Sequence, residues 1–139
     1  MTKDTLRETL TSIRNAILIK KPRVEIPATR ITKALSRILY EEGLIEKILR
    51  PYPSLKKKSQ LFLSLKYCGN KCRSVITDLQ IVSRPGLRFY AKYEEIPRVF
   101  GGMGLVVLST SQGLMTDREA RLRKLGGEVL CSIWLLNSS

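Results

Sequence analysis

The 139-residue sequence contains no histidine, the side chain that proteins use most often for acid–base catalysis and metal binding near neutral pH. Its serines lack a nucleophile-elbow context such as Gly-x-Ser-x-Gly, and no cluster of carboxylates is evident. The sequence therefore predicts a protein that is not an enzyme. A small enzyme, such as a nuclease, is the alternative that a turnover assay would test.

Cysteine is scarce as well, and the count is odd. With only Cys68, Cys72 and Cys131, no even disulfide framework can form. Cys68 and Cys72 are separated by three residues, and no second Cys or His pair completes a tetrahedral zinc site. We expect no metal and no cofactor, and we expect Cys131, which lies in an apolar run, to be a core residue.

Long apolar runs are also missing. No run approaches the roughly 20 residues that span a bilayer. The amino terminus leads directly into an amphipathic pattern, without the features of a signal peptide or a transit peptide. We therefore expect no membrane partner, and a protein that works in the compartment where it is made or whose targeting segment has been removed.

Positive charge, in contrast, is abundant. The chain has 25 Lys and Arg against 12 Asp and Glu, a net charge of +13. Residues 1–82 hold 17 basic and 7 acidic residues, and residues 83–139 hold 8 and 5. Such a balance favours nucleic acid over a small-molecule substrate, because phosphates release counterions when Lys and Arg neutralise them. A soluble protein with a merely basic surface is the alternative.

Two amphipathic helices are predicted in the first half of the chain. Residues 4–19 place Leu6, Leu10, Ile13 and Ile17 on one apolar stripe, with Asp4 as a cap. Residues 29–42 repeat the pattern, and Gly43 is a suitable stop. Polar residues such as Arg14 and Asn15 fall away from the stripe, where they either face solvent or bind a partner.

Strands and one short helix are predicted for the rest. In the first half they are an edge strand at 22–27 and three strands at 44–49, 61–67 and 73–82, with a basic loop at 51–59. In the second half they are strands at 89–93, 105–108 and 128–134, and a helix at 117–124 with a capping box from Thr116 to Glu119. Gly101-Gly102-Met103-Gly104 lacks a phosphate-loop ending, so backbone turning is favoured over nucleotide binding.

These elements predict an α+β protein. Two helices on a small three-stranded sheet form an amino-terminal α/β subdomain, residues 1–82. It packs on a mainly antiparallel β subdomain with a short helix, residues 83–139, and a Pro-Gly turn within 83–88 joins the two.

The segment Ser109-Thr110-Ser111-Gln112-Gly113 has two interpretations. Three successive hydroxyls after a strand can donate to and accept from the 2′-hydroxyls, base edges and phosphates of an RNA minor groove. They can equally form a polar turn whose hydroxyls satisfy their own backbone. The segment alone favours the plain turn.

Several motifs together resemble a known family, small-subunit ribosomal protein eight of the bacterial type. They are STSQGLMTDREAR (109–121), GGEVLC (126–131), VSRPGLR (82–88), TSIRNA (11–16) and EEGLI (41–45). The resemblance covers essentially the whole chain. It implies a structural protein that binds the central domain of small-subunit ribosomal RNA, contacts neighbouring ribosomal proteins and helps to assemble the platform. A repressor of its own messenger RNA would use the same residues.

The resemblance also assigns site residues. Four loop residues are implied to touch RNA: Ser109, Thr110, Ser111 and Gly113. Tyr90 matches a ring that packs on RNA. Glu128 matches a carboxylate that accepts from base amino groups or braces the loop. Arg14, Asn15 and Lys33 match positions near the RNA backbone. Gln112 departs from the basic residue often found there, which leaves one phosphate contact in doubt.

The compartment is suggested by residues 95–104 and by Trp134, which resemble plastid-encoded members more than ordinary bacterial ones. The predicted location is therefore a ribosome in the chloroplast stroma, with the bacterial cytoplasm as the alternative.

Overall fold

The computed structural model describes residues 2–49, 60–69, 73–84, 86–97 and 103–135. The chain divides into two compact units, Met1–Val75 and Ile76–Ser139. Some predicted features lie outside the described residues: the basic loop 51–59, residues 98–102, the tail 136–139, Cys72, and the side chains of Asp4 and Cys68.

Helix α1 (Thr2–Leu18) is the first element of the Met1–Val75 unit. Leu6, Leu10 and Ile13 of its predicted apolar stripe are buried, and Ile17 near its end is half-buried. Arg14 and Asn15 follow on the exposed side. The helix thus buries one face and presents two of the predicted site residues on the other.

Helix α2 (Arg30–Glu41) begins with a capping box that the sequence analysis did not identify. The backbone N–H of Thr32 donates to Oγ1 of Thr29 at 3.2 Å, and the N–H of Thr29 donates to Oγ1 of Thr32 at 2.8 Å. A threonine thus takes the place in which Glu or Gln is usual. The helix ends before Gly43, as predicted.

A three-stranded antiparallel sheet lies against these helices, with α1 contacting β1 and α2 contacting β2. Its strands are β1 (Arg23–Pro27), β2 (Ile45–Leu49) and β3 (Gln60–Leu65), with β3 in the centre. Alternate residues of β3 are buried, as the sequence pattern predicts for a sheet covered on one face. A short antiparallel pair follows, β4 (Tyr67–Cys68) and β5 (Arg73–Ser74).

The strand predicted at 73–82 belongs to the predicted amino-terminal subdomain, but the structure divides it between the two units. It is divided into β5 and β6 (Ile76–Ile81), and β6 belongs to the Ile76–Ser139 unit, where it pairs with β10 (Gly127–Leu135). The first sheet consists of β1, β3 and β2. Apolar spacing predicts that a strand forms here. It does not predict which strand will be its partner, because β10 lies some fifty residues later in the chain.

The Ile76–Ser139 unit contains a five-stranded antiparallel sheet with one helix. In addition to β6 and β10 it has β7 (Tyr90–Ala91), β8 (Gly104–Thr110) and β9 (Gly113–Thr116). The order is β6-β10-β8-β9, and β7 also pairs with β10. The core under this sheet consists mainly of small and aliphatic side chains: Ala91, Ile96, Val106, Leu108, Met115, Ala120 and Val129.

Helix α3 (Asp117–Arg123) follows β9 directly. The Thr116 hydroxyl accepts from the Glu119 N–H at 3.3 Å, which confirms one half of the predicted capping box. The other half is not found among the described contacts, because the carboxylate of Glu119 instead pairs with Arg123, one turn later. Lys124, with a left-handed φ of 57°, caps the end of the helix before the glycine pair is reached.

Gly126 and Gly127 have a steric role that the sequence analysis did not foresee. A Cβ on Gly127 would lie 2.2 Å from the carbonyl oxygen of Ser109, and one on Gly126 would lie 2.5 Å from that of Ala91. Only glycine therefore allows the start of β10 to lie this close to β8 and β7.

Candidate nucleic-acid interface

The hydroxyl segment forms the tip of a tight hairpin. Thr110 of β8 pairs with Gly113 of β9, so Ser111 and Gln112 are the two residues of the turn. Gly113 adopts a φ of +104°, which explains why a glycine ends the motif. The turn residues and Gly113 are exposed.

The three hydroxyls of this hairpin are not equivalent. The Thr110 hydroxyl donates to the carbonyl of Gly113 at 2.8 Å and accepts from the N–H of Gln112 at 3.1 Å. Within the described part of the chain, the hydroxyls of Ser109 and Ser111 have no such partner. The Thr110 hydroxyl thus satisfies the backbone of its own turn, whereas the two serines keep their hydrogen-bonding capacity.

Three of the predicted residues form one row across the sheet. Glu128 of β10 pairs with Tyr90 of β7 on one side and with Ser109 of β8 on the other. Directly opposed residues of antiparallel strands point to the same face. The phenol, the carboxylate and the hydroxyl therefore share one face of the sheet.

Tyr90 presents its ring to solvent, with 67% of the residue exposed. Its backbone is fixed nonetheless, since the N–H of Val129 donates to the carbonyl of Phe89 at 2.8 Å. An open surface cavity of about 550 Å³ lies beside it, lined by 90–95 and by the two glycines 126 and 127. An exposed ring on an anchored strand, next to open space, can stack against a planar group.

Glu128 is almost completely buried, at 3% exposure. Its Oε2 lies 3.4 Å from Nη1 of Arg88, whose side chain is about one-third exposed. A buried carboxylate requires such a partner because desolvation is costly. The contact makes Arg88 part of this surface, although the sequence analysis did not single it out.

Arg123 is a second residue that the sequence analysis missed. Its Nη1 donates to Oε1 of Gln112 at 2.9 Å, which brings a guanidinium to the hairpin tip. The spacing of Glu119 and Arg123, four residues apart in a short helix, is the signal that could have indicated an ordered arginine here.

The remaining predicted residues belong to the Met1–Val75 unit. Arg14 and Asn15 are neighbours on the exposed side of α1, and Lys33 is exposed in the first turn of α2. The structure thus brings together the six residues of the Ile76–Ser139 unit on one hairpin and its adjoining strands. The other three lie on two helices of the first unit.

Groups suited to catalysis are few in the parts of the chain that the structure describes. No cluster of His, Cys, Asp or Glu is arranged there to hold a metal ion. Burial raises the pKa of the Cys131 thiol to about 12, although a backbone hydrogen bond with Val107 lowers it. The thiol therefore stays protonated near neutral pH, and the prediction that Cys131 is a core residue is confirmed. No helix in the described ranges is long and apolar enough to cross a membrane.

Fold and surface together define a basic α+β protein that presents hydroxyls, a ring and a braced carboxylate on one sheet. The family model described as "Ribosomal protein S8" matches residues 4–134, and the chain belongs to this family. It is therefore a structural ribosomal protein and not an enzyme, which confirms the family resemblance, the α+β class and the non-enzymatic role predicted from the sequence.

Similar proteins match nearly from end to end. The chain is 51% identical to "Small ribosomal subunit protein uS8c" of Marchantia polymorpha over 134 residues, 96% of this chain and 100% of that protein. The proteins of the same name from Guillardia theta and Lotus japonicus are each 52% identical, with the same coverage.

Proposed function

We propose that this protein binds the central domain of small-subunit ribosomal RNA, and that the hairpin face of the Ile76–Ser139 unit recognises the RNA. The observation that carries the proposal is the row of Tyr90, Glu128 and Ser109, continued by Ser111 at the hairpin tip. We further propose that the RNA-recognition part corresponds to residues 83–139. The ribosome is that of a plastid, as the name uS8c of the relatives supports.

Specificity in this proposal comes from uncharged groups. The Ser109 and Ser111 hydroxyls can each donate and accept, as an RNA minor groove with its 2′-hydroxyls requires. Tyr90 offers a ring on which an unpaired base can stack. Glu128 is buried and paired with Arg88, so we assign it the bracing role rather than a direct base contact. Thr110 and Gly113 keep the hairpin in shape.

General affinity comes from positive charge. Arg14, Asn15 and Lys33 are exposed, and they belong to the part of the chain with the larger excess of Lys and Arg. We propose that Arg14 and Lys33 pair with RNA phosphates and that the uncharged amide of Asn15 donates a hydrogen bond to one. Such contacts strengthen binding to any RNA and weaken steeply with salt.

The decisive variant is Ser111→Ala. Its hydroxyl has no partner among the described residues, so its removal leaves the hairpin intact. We expect affinity for a central-domain RNA to fall about three- to tenfold, the range for one or two lost hydrogen bonds. Affinity for a scrambled RNA of equal length stays unchanged. Filter binding of the purified protein with both RNAs measures the two values.

Ser132→Ala is the matched control, since Ser132 lies in β10 within the same sheet but outside the hairpin. It leaves binding to both RNAs unchanged. An equal loss for cognate and scrambled RNA on Ser111→Ala would contradict recognition by the hairpin. Footprinting on small-subunit RNA without protection in the central domain would contradict the proposed target.

A further inference from the structure

The hairpin tip carries no charged side chain of its own, because residues 109–113 are serine, threonine, glutamine and glycine. Positive charge reaches the tip from α3, where Nη1 of Arg123 donates to Oε1 of Gln112 at 2.9 Å. Nη2 of the same guanidinium lies 2.8 Å from Oε1 of Glu119. Two acceptors therefore hold this cation beside the exposed turn.

These contacts leave much of the Arg123 guanidinium accessible. It has about five N–H donors, and the described contacts use one on each terminal nitrogen. Its side chain is 51% exposed, and that of Glu119 is 47% exposed. An ion pair so open to water contributes little to stability, so a competing anion can displace Glu119 at small cost.

We propose that Arg123, oriented by Gln112, contacts a phosphate of the RNA that lies on the hairpin. This inference rests on the proposed function, because it requires RNA at residues 109–113. A planar guanidinium suits the role, since its fork of donors can bind two phosphate oxygens at once. Gln112 is then a positioning residue, whose amide oxygen directs the arginine toward the tip while adding no charge.

The test is a salt series with the full-length chain and the central-domain RNA. Loss of one phosphate contact in Arg123→Gln lowers the slope of log affinity against log salt by about 0.7 to 0.9. The same contact corresponds to about a sixfold loss of affinity at 0.1 M salt. Filter binding at four or more salt concentrations gives both values.

Arg118→Gln is the matched control for this variant. Arg118 is an exposed arginine of the same helix, and its replacement removes the same charge. The Arg118 variant keeps the wild-type slope, because a contact is lost only at Arg123. An equal fall of slope in both variants would indicate a general charge effect and overturn the proposal.

A double-mutant cycle tests the role of Gln112. Gln112→Leu alone weakens binding about threefold, because Arg123 loses the acceptor that directs it. In the Arg123→Gln background the same substitution has no further effect. Independent, additive losses would overturn the positioning role.

Failure of the two proposals can be distinguished. If the wild-type protein binds central-domain and scrambled RNA equally, the proposed function fails. If the wild-type protein prefers the central-domain RNA but Arg123→Gln keeps the wild-type slope, only the Arg123 contact is overturned.

Discussion

Two buried threonines show that the surroundings decide whether a buried hydroxyl has a hydrogen-bond partner. Thr9 in α1 is 1% exposed, and its Oγ1 has no hydrogen-bond partner among the described residues. Thr32 in α2 is fully buried too, but its hydroxyl donates to the carbonyl of Pro27 at 2.6 Å and accepts from the N–H of Thr29. The same residue type is thus unsatisfied in one helix and structural in the other.

Replacement of each threonine by valine should therefore have opposite effects. Thr9→Val removes an unpaired polar atom at nearly constant shape, and we expect unchanged or higher stability, by up to about 1 kcal/mol. Thr32→Val removes the hydrogen bonds to Pro27 and Thr29 that hold the start of the helix, and it costs about 1 to 2 kcal/mol. Urea unfolding of both variants measures the difference. A loss at Thr9 equal to that at Thr32 would mean that the Thr9 hydroxyl has a partner after all.

At the scale of elements, the hairpin of β8 and β9 has one hydroxyl that supports the turn and another that the proposed recognition uses. Its fold depends on Thr110, whose hydroxyl joins the two ends of the turn, while Ser111 beside it has no such contact. Both interpretations of the segment, a polar turn and a set of hydroxyls available to RNA, therefore apply to different residues of it. One hydroxyl satisfies the backbone and its neighbour is available to a partner.

Thr110→Val should accordingly destabilise the protein by about 1 to 2 kcal/mol, because two hydrogen bonds of the turn are lost. Ser111→Ala should change the free energy of unfolding by less than about 0.5 kcal/mol. Chemical denaturation of both variants tests this division. If Ser111→Ala were as destabilising as Thr110→Val, its effect on RNA binding could not be assigned to recognition.

The elements also show what the sequence can and cannot predict. Periodicity located α1, α2 and the alternating strand β3, because these patterns depend on residues close together in the chain. It could not assign β6 to β10, nor reveal that Gly127 must accommodate the backbone of Ser109. The contacts of Arg88 and Arg123 were missed for the same reason, since each depends on strands or turns brought together by folding.

For the whole molecule, positive charge and the polar groups proposed to recognise RNA are distributed unequally along the chain. Residues 1–82 carry a net charge of +10, and residues 83–139 carry only +3. The Ile76–Ser139 unit holds the row of phenol, carboxylate and hydroxyl. We infer that the two parts have different roles. The first part provides affinity for any RNA, and the second part provides specificity for one RNA.

This division predicts different signatures for Lys33→Gln and Ser111→Ala. Loss of the Lys33 charge weakens binding to central-domain and scrambled RNA by the same factor, about sixfold at 0.1 M salt for one phosphate contact. Lys47→Gln, which removes an exposed lysine from β2 of the same unit, is the control and has a smaller effect. Filter binding with both RNAs gives the ratio of the two affinities for each variant. A ratio that changes with Lys33→Gln would show that the first unit also selects the RNA, because a contact to phosphate alone cannot distinguish one sequence from another.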